Sequence, residues 1–517
     1  MNTVGYIVGE VSTNEFTFVT SREIAPPRLE YIVVPVQEPN RKIDVLAQVT
    51  SLSVSSRLLN TSLGYTEVEA ILNRLKSSPP IVQGTAKVLG YLDGNSVRYP
   101  RHAATPGTGV ALAPDDLLRK FFSGIESGIE IGTLINRDQV SVQLNPNGLR
   151  RHLAVIAQTG AGKSYTVGVI LERLLQLGGT IVVFDPNSDY VLMRRDPQHR
   201  ATSFADRVEI YRLPTTQAGR IPDEEIGGAK KFTMQFSKLE VDEICNMTGI
   251  APTSTNIRKA IQTVWDKLQG TDYTPKKFRE ELEKIAEGAD ALMQGPSAAS
   301  MPRGPRTLNP AIGNEADFDQ AFGRKIAEKA NLDADWFDRE VPPVAEEPAP
   351  KTQKSDNGKA PSMDAISGAQ KAIKYVEMLE RVDIWGYDDV PMKDLLRPMT
   401  LSVIDVAGVD QWISEFIVAK VLNETWGIAV NEGLPRPVFF VLEEAHNFVP
   451  GGQGTQSHSA VIIKRIASEG RKFGLFMVLI TQRPYKVHGD TLSQCNSQII
   501  MRLTNPQDQQ AIRLSSE

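Results

Sequence analysis

Residues 157–164 read AQTGAGKS, following the apolar run LAVI and leading into YTVGVILERLLQLG. A glycine-rich turn between a strand and a helix lets successive backbone N–H groups converge on an anion at the helix N-terminus. The expected cradle is Thr159, Gly160, Ala161, Gly162, Lys163, Ser164 and Tyr165. Lys163 would reach the β- and γ-phosphates of ATP, and the Ser164 hydroxyl would ligate Mg²⁺. Ala157 stands where the strict pattern begins with glycine. That change is mild if the position needs a small side chain rather than a positive φ.

A second group of acids suits the same chemistry. PVFFVLEEAHNF (437–448) ends an apolar strand with Glu443 and Glu444, at the edge where α/β sheets place their ligands. In motors built on a phosphate-binding loop, the first acid orients the Mg²⁺ water shell and the second polarises the attacking water. Glu443 and Glu444 take these roles in that order, so Ser164 and Glu443 are the expected metal residues. LITQRP (479–484) ends a strand with Gln482. Its amide can donate to a phosphate and accept from water, as a γ-phosphate sensor must. VFDPNSDY (183–190) places Asp185 and Asp189 after another strand. Either could touch the nucleotide, but the Asp-Pro-Asn-Ser chemistry favours a turn for Asp189. His446 is read as a packed, hydrogen-bonded residue.

An arginine delivered to the γ-phosphate across a subunit interface accelerates hydrolysis by about 10³–10⁵. Arg471 in SEGRKFG is one candidate, and Arg150 or Arg151 ahead of the LAVI strand are others. For each, a surface ion pair is the plain alternative.

These residues need a sheet to hold them. From about residue 130 onward, strands alternate with helices: LAVIA (153–157), TIVVFD (180–185), LSVID (401–405), VFFVLEE (438–444), LFMVLIT (475–481) and SQIIMRL (497–503). This alternation predicts an α/β fold with a mostly parallel sheet covered on both faces. The first hundred residues differ. TVGYIVG, FTFVT, EYIVVPV, IDVLAQVT and TAKVLGYL follow at close spacing between turn signals, as in a small β-barrel or sandwich. RYPRHAATPGTGVALAP then reads as a linker. The expected domains are a barrel over 1–105, the first part of the ATPase core over 106–237, a mainly helical insertion over 238–395, and the second part of the core over 396–517. The centre of the insertion, about 287–362, is too rich in Ala, Pro, Gly and charge to order itself and is expected to be mobile.

Composition narrows the setting. The chain has 517 residues, and roughly 150 per domain allows about two to four domains. No apolar run approaches the roughly 20 residues needed to cross a bilayer, and no secretory leader opens the sequence, so a cytoplasmic protein without a membrane partner is expected. The 2 cysteines lie far apart, which excludes a disulfide framework or zinc ribbon. The net charge of −5 does not exclude DNA, because a ring can confine its basic residues to a channel.

GYIVGEVST, TPGTGVALAP, RHLAVIAQTGAGKS, VLEEAHNF, RIASEGRKFG, ITQRP and LSQCNSQIIMRLTNPQDQ together resemble the HerA family of hexameric DNA pumps, within the broader FtsK–HerA group. The resemblance spans most of the chain except 238–395. It implies a HAS-type barrel, a RecA-like P-loop core and a homo-hexameric ring with double-stranded DNA in its channel. It also implies helicase or translocase activity beside a NurA-type nuclease, in resecting broken DNA ends before recombination. Its nucleotide residues map to Lys163, Ser164, Glu443, Glu444 and Gln482, and its arginines to Arg471 and Arg151. Relatives usually continue beyond the point where this chain ends, at AIRLSSE. Proteins of this kind also resemble ring scaffolds whose ATP site gates an effector enzyme in antiviral defence, which is the alternative function. The loop PGGQGTQSHS (450–459), with Lys464 and Arg465 beyond it, has residue types suited to sequence-neutral phosphate contacts in a channel.

Overall fold

Alternation of buried and exposed residues builds the N-terminal region. The computed structural model describes residues 2–39, 41–56, 58–59, 61–74, 80–94, 96–123, 128–214, 220–293, 362–452 and 457–515. Seven antiparallel strands come first: β1 (Thr3–Val11), β2 (Glu15–Thr20), β3 (Tyr31–Glu38), β4 (Arg41–Ser55), β5 (Ile81–Asp93), β6 (Ser96–Arg98) and β7 (Gly109–Leu112). Their order is β2-β1-β7-β3-β4-β5-β6, and β2 pairs back onto β5, so six of them close into a barrel. Closure satisfies edges that an open sheet would leave unpaired. Ile7, Phe18, Ile32, Val45, Val49 and Val110 fill the interior. Gly84 lies opposite Phe18 in the ladder, and a Cβ there would collide with the Phe18 ring.

The stretch read as a linker contributes β7, which closes the barrel between β1 and β3. Its Pro and Gly content conceals a four-residue strand whose Val110 is fully buried. Beyond it, the helix Asp115–Ser123 and the hairpin of β8 (Ile129–Leu134) with β9 (Arg137–Leu144) share a second small core. Tyr31, Leu46, Leu118 and Val140 pack there, and Arg137 bonds both Glu30 and Asp115.

The α/β core is an eight-stranded sheet among the described residues, with every pairing parallel. Its strands are β10 (Leu153–Ile156), β11 (Thr180–Asp185), β12 (Val208–Arg212), β13 (Lys230–Lys231), β14 (Leu401–Asp405), β15 (Val438–Leu442), β16 (Leu475–Thr481) and β17 (Ser497–Ile500). β10, β11, β14, β15 and β16 are buried along their whole length. That is why they read as continuous apolar runs rather than alternating ones. β12 and β13 were not expected: they carry Glu209, Arg212, Lys230 and Lys231, charges that mask a strand pattern. The order β13-β12-β14-β11-β15-β16-β10-β17 matters for function. It sets the C-terminal ends of β10, β16, β15 and β11 side by side, each followed by one of the polar segments singled out above.

Residues Ile250–Glu380 form a separate compact unit. Its helices Thr255–Leu268, Pro275–Met293 and Met363–Glu380 bury Ile261, Val264, Phe278, Leu282, Ala372 and Val376. Gly368 sits against the Asn256 carbonyl, where a side chain would not fit. The expectation of a mobile centre falls, for residues 294–361, outside the described residues. Among the described residues no helix is long and apolar enough to cross a membrane.

Candidate nucleotide-binding site

The loop after β10 is pinned on both sides. The Ala157 N–H donates to the Thr481 carbonyl at 3.2 Å and the Gln158 N–H to the Arg502 carbonyl at 3.1 Å. Gly160 and Gly162 then take φ values of 77° and 90°, a left-handed conformation that side chains resist. The helix Lys163–Gln176 begins immediately afterwards. Ala157 is fully buried with an ordinary φ, so the position asks only for a small side chain. The first N–H groups of a helix have no intrahelical partner, and here they border a cavity of about 720 Å³.

Lys163, Ser164, Asp189, Glu444, His446 and Gln482 line that cavity. Lys163 Nζ stands 2.5 Å from Glu443 Oε1 and 2.9 Å from Glu444 Oε1. Burial opposes the lysine's charge, but the two carboxylates outweigh it and its pKa is raised. Glu443 is fully enclosed and also accepts from the Tyr190 hydroxyl at 2.9 Å. Burial raises the Glu443 pKa, against the opposing effect of Lys163. Glu444 adopts φ 50°, uncommon for a non-glycine residue, and so turns its side chain off the end of β15 into the cavity.

Gln482, just past β16, donates through Nε2 to Glu444 Oε1 at 2.9 Å, while its Oε1 accepts from the Thr159 hydroxyl. One amide thus spans the acid and the phosphate-binding loop. His446 Nδ1 lies 3.1 Å from Thr481 Oγ1 and 3.3 Å from Glu444 Oε2.

The two aspartates divide the work differently from the sequence reading. Asp185 makes the turn: it accepts from the N–H groups of Asn187, Asp189 and Tyr190. Asp189 instead accepts from the Ser164 hydroxyl at 2.8 Å and faces the cavity. The turn is braced from the next strand by Asp405, which accepts from Ser188, Arg212 and Arg220. Tyr190, Asn187, Asn447 and Arg483 also belong to the site or its support and were not singled out from sequence. For Arg483 a signal existed, since it directly follows Gln482 at the same strand end.

Mg²⁺ takes oxygen ligands and keeps much of its water, needing only one or two protein groups beside the phosphates. The Ser164 hydroxyl and the Asp189 carboxylate fit that requirement. Among the described residues no cluster of three His, Cys, Asp or Glu could hold a metal alone, so an ion here would depend on phosphate oxygens. Glu443, the other expected metal residue, is placed behind Lys163 and off the cavity wall.

The arginines lie elsewhere. Arg151 precedes β10 and Arg471 precedes β16, so both stand at the N-terminal edge of the sheet. The cavity is at the opposite edge, roughly 23 Å away along the seven residues of β16. Arg471 Nη2 donates to the carbonyls of Arg151 and Gln494 and to Asn496 Oδ1. Arg465 is held over the Trp426 ring, 4.4 Å from its centroid, which accounts for it within the fold. Residues 453–456 of the expected DNA-facing loop lie outside the described residues.

A family model described as the central domain of helicase HerA matches residues 129–425, more than half of the sequence. The chain belongs to the HerA helicase family. Its core is accordingly a P-loop ATPase core, with an N-terminal barrel before it. The DNA double-strand break repair helicase HerA of Pyrococcus furiosus is 25% identical over 99% of this chain and 86% of its own length. That of Sulfolobus acidocaldarius is 24% identical over 100% of this chain and 86% of its own. Among solved structures, VirB4 of Thermoanaerobacter pseudethanolicus aligns with 76% of this chain and 88% of its own, at 14% identity and a TM-score of 0.39.

Proposed function

We propose that this HerA-family ATPase is a motor on double-stranded DNA, a helicase or translocase serving the repair of broken ends. The observation that carries the ATPase reading is the convergence of Lys163, Ser164, Asp189, Glu444 and Gln482 on one cavity from the ends of four neighbouring strands. The HerA proteins of Pyrococcus furiosus and Sulfolobus acidocaldarius are DNA double-strand break repair helicases, and their similarity over nearly the whole chain supports the same role here.

Phosphates seat against the helix N-terminus at Gly162 and Lys163. The γ-phosphate competes with Glu443 and Glu444 for Lys163, and Glu444 becomes free to polarise a water. The water oxygen bonds to the γ-phosphorus as the bond to the bridging oxygen breaks. ADP leaves with that electron pair, and the water's proton passes to Glu444 and then to solvent. Ser164 would hold Mg²⁺, with Asp189 beside it to accept from metal-bound water, and the ion would neutralise phosphate oxygens; Glu443, enclosed behind Lys163, would act on the site through that lysine. Gln482, bonded to both Glu444 and Thr159, links loss of the γ-phosphate to movement of the phosphate-binding loop.

The working form in this reading is a homo-hexameric ring with DNA in its channel and a NurA-type nuclease as partner. The position of Arg151 and Arg471, at the edge opposite their own cavity, favours their acting on a neighbouring subunit's nucleotide. Displacement of a third strand from duplex DNA, with ATP and with ATPγS, tests the motor. ATP-dependent displacement supports it; binding of duplex without displacement contradicts it. Light scattering then gives the assembly state, for which a six-fold mass is expected.

A further inference from the structure

Glu444 must hold one orientation once Lys163 is engaged by phosphate. Its Oε1 has Gln482 Nε2 at 2.9 Å, but Oε2 is buried and makes no hydrogen bond. A carboxylate can only accept, and an unpaired buried oxygen is costly. The side chain at hand is His446, whose Nδ1 stands 3.3 Å from Oε2. The same nitrogen is 3.1 Å from Thr481 Oγ1, which already accepts from the Arg483 N–H. Glu444 Oε2 can only accept and the Thr481 hydroxyl can accept as well, so an imidazole proton on Nδ1 serves both. His446 sits in the middle of the short turn Ala445–Asn447 that follows Glu444, while Thr481 ends β16 immediately before Gln482. The ring therefore ties the two strand ends that carry the acid and the sensor.

We propose that His446 is a positioning residue for ATP hydrolysis: its Nδ1–H turns between Thr481 Oγ1 and Glu444 Oε2, fixing Glu444 for water activation after Lys163 has left it. This rests on the ATPase reading above. Burial, aided by Arg483, Lys486 and Lys163, lowers the His446 pKa against the pull of Glu444. The ring is thus a neutral donor near pH 7 and does not compete with Lys163 as a cation.

The test compares two amides. In His446→Asn the side-chain nitrogen falls close to the place of Nδ1; in His446→Gln it extends towards the place of Nε2. Steady-state ATP turnover is measured for both and for His446→Ala, alongside binding of a fluorescent ATP analogue and thermal unfolding. The expected result is a kcat reduced about tenfold or more in the Ala and Gln variants, with nucleotide affinity within about twofold, and most of kcat restored in Asn. Equal turnover in the Asn and Gln variants, or a parallel loss of nucleotide binding and kcat, overturns the proposal. If the unaltered protein itself fails to hydrolyse ATP, the ATPase reading falls first. Normal turnover in His446→Ala defeats only the positioning role.

Discussion

The amide of Gln482 donates to Glu444 Oε1 across 2.9 Å, joining the ends of two neighbouring strands, β16 and β15. Both residues line one cavity with Lys163, and the hydrogen bond puts the residues proposed as γ-phosphate sensor and water-polarising acid in direct contact. Removing the acid's charge while keeping its shape should separate binding from chemistry. Glu444→Gln is expected to bind ATP but lose turnover by about 10²–10⁴-fold, the range for a lost general base. Lys163→Ala should lose binding as well. Rapid-quench turnover and nucleotide-binding titrations check both, and normal turnover in Glu444→Gln would remove it from this role.

Asp189 is predicted to act through Mg²⁺. Asp189→Asn keeps a side chain beside Ser164 but weakens its hold on metal-bound water. The Mg²⁺ concentration for half-maximal turnover should rise several-fold, with much of kcat regained at saturating Mg²⁺. A titration of activity against Mg²⁺ decides the matter; an unchanged midpoint would assign Asp189 to the fold alone.

Arg471 can be tested by mixing subunits. Arg471→Ala leaves the carbonyls of Arg151 and Gln494 without this donor, so a lower unfolding temperature is expected. If it also serves a neighbour's nucleotide, rings mixed from Arg471→Ala and Lys163→Ala subunits should regain ATP turnover that neither shows alone. Mixtures no more active than their components would confine Arg471 to bracing the base of the sheet.

Asp185 predicts a pH effect on stability. Burial pushes its pKa up to about 7, despite the N–H groups of Tyr190 and Asp189 that favour the charged form. A carboxyl raised in the folded protein is protonated more readily there than in the unfolded chain. Its stabilising contribution is therefore complete below the unfolded value, near 3.9, and is lost as pH rises through about 7. Asp185→Asn should flatten the unfolding temperature across that window, though at some cost from an imperfect turn. Chemical denaturation from pH 4 to 8 measures the difference, and parallel curves for the two proteins would contradict the assignment.

What the sequence made legible follows from the range of each contact. The phosphate-binding loop needs contiguous residues, so AQTGAGKS announced itself. Glu443, Glu444 and Gln482 each end an apolar strand, and the parallel sheet brings those ends together. Asp189 was misjudged because Ser164 reaches it only after the intervening helix and β11, and because Asp185 had already satisfied the turn. Tyr190 bonds Glu443 from 253 positions away, with no local signature. β7 was hidden by its Pro and Gly neighbours, and β12 by charges such as Arg212, whose partner Asp405 lies on an adjacent strand.

ATP turnover at this site is expected to drive work on DNA. The most direct test is steady-state hydrolysis by the purified protein with and without linear duplex DNA, using Glu444→Gln as the blank. Turnover should rise several-fold with duplex and vanish in the variant. Turnover unaffected by duplex of any length would contradict the motor and point to an ATP-gated assembly instead.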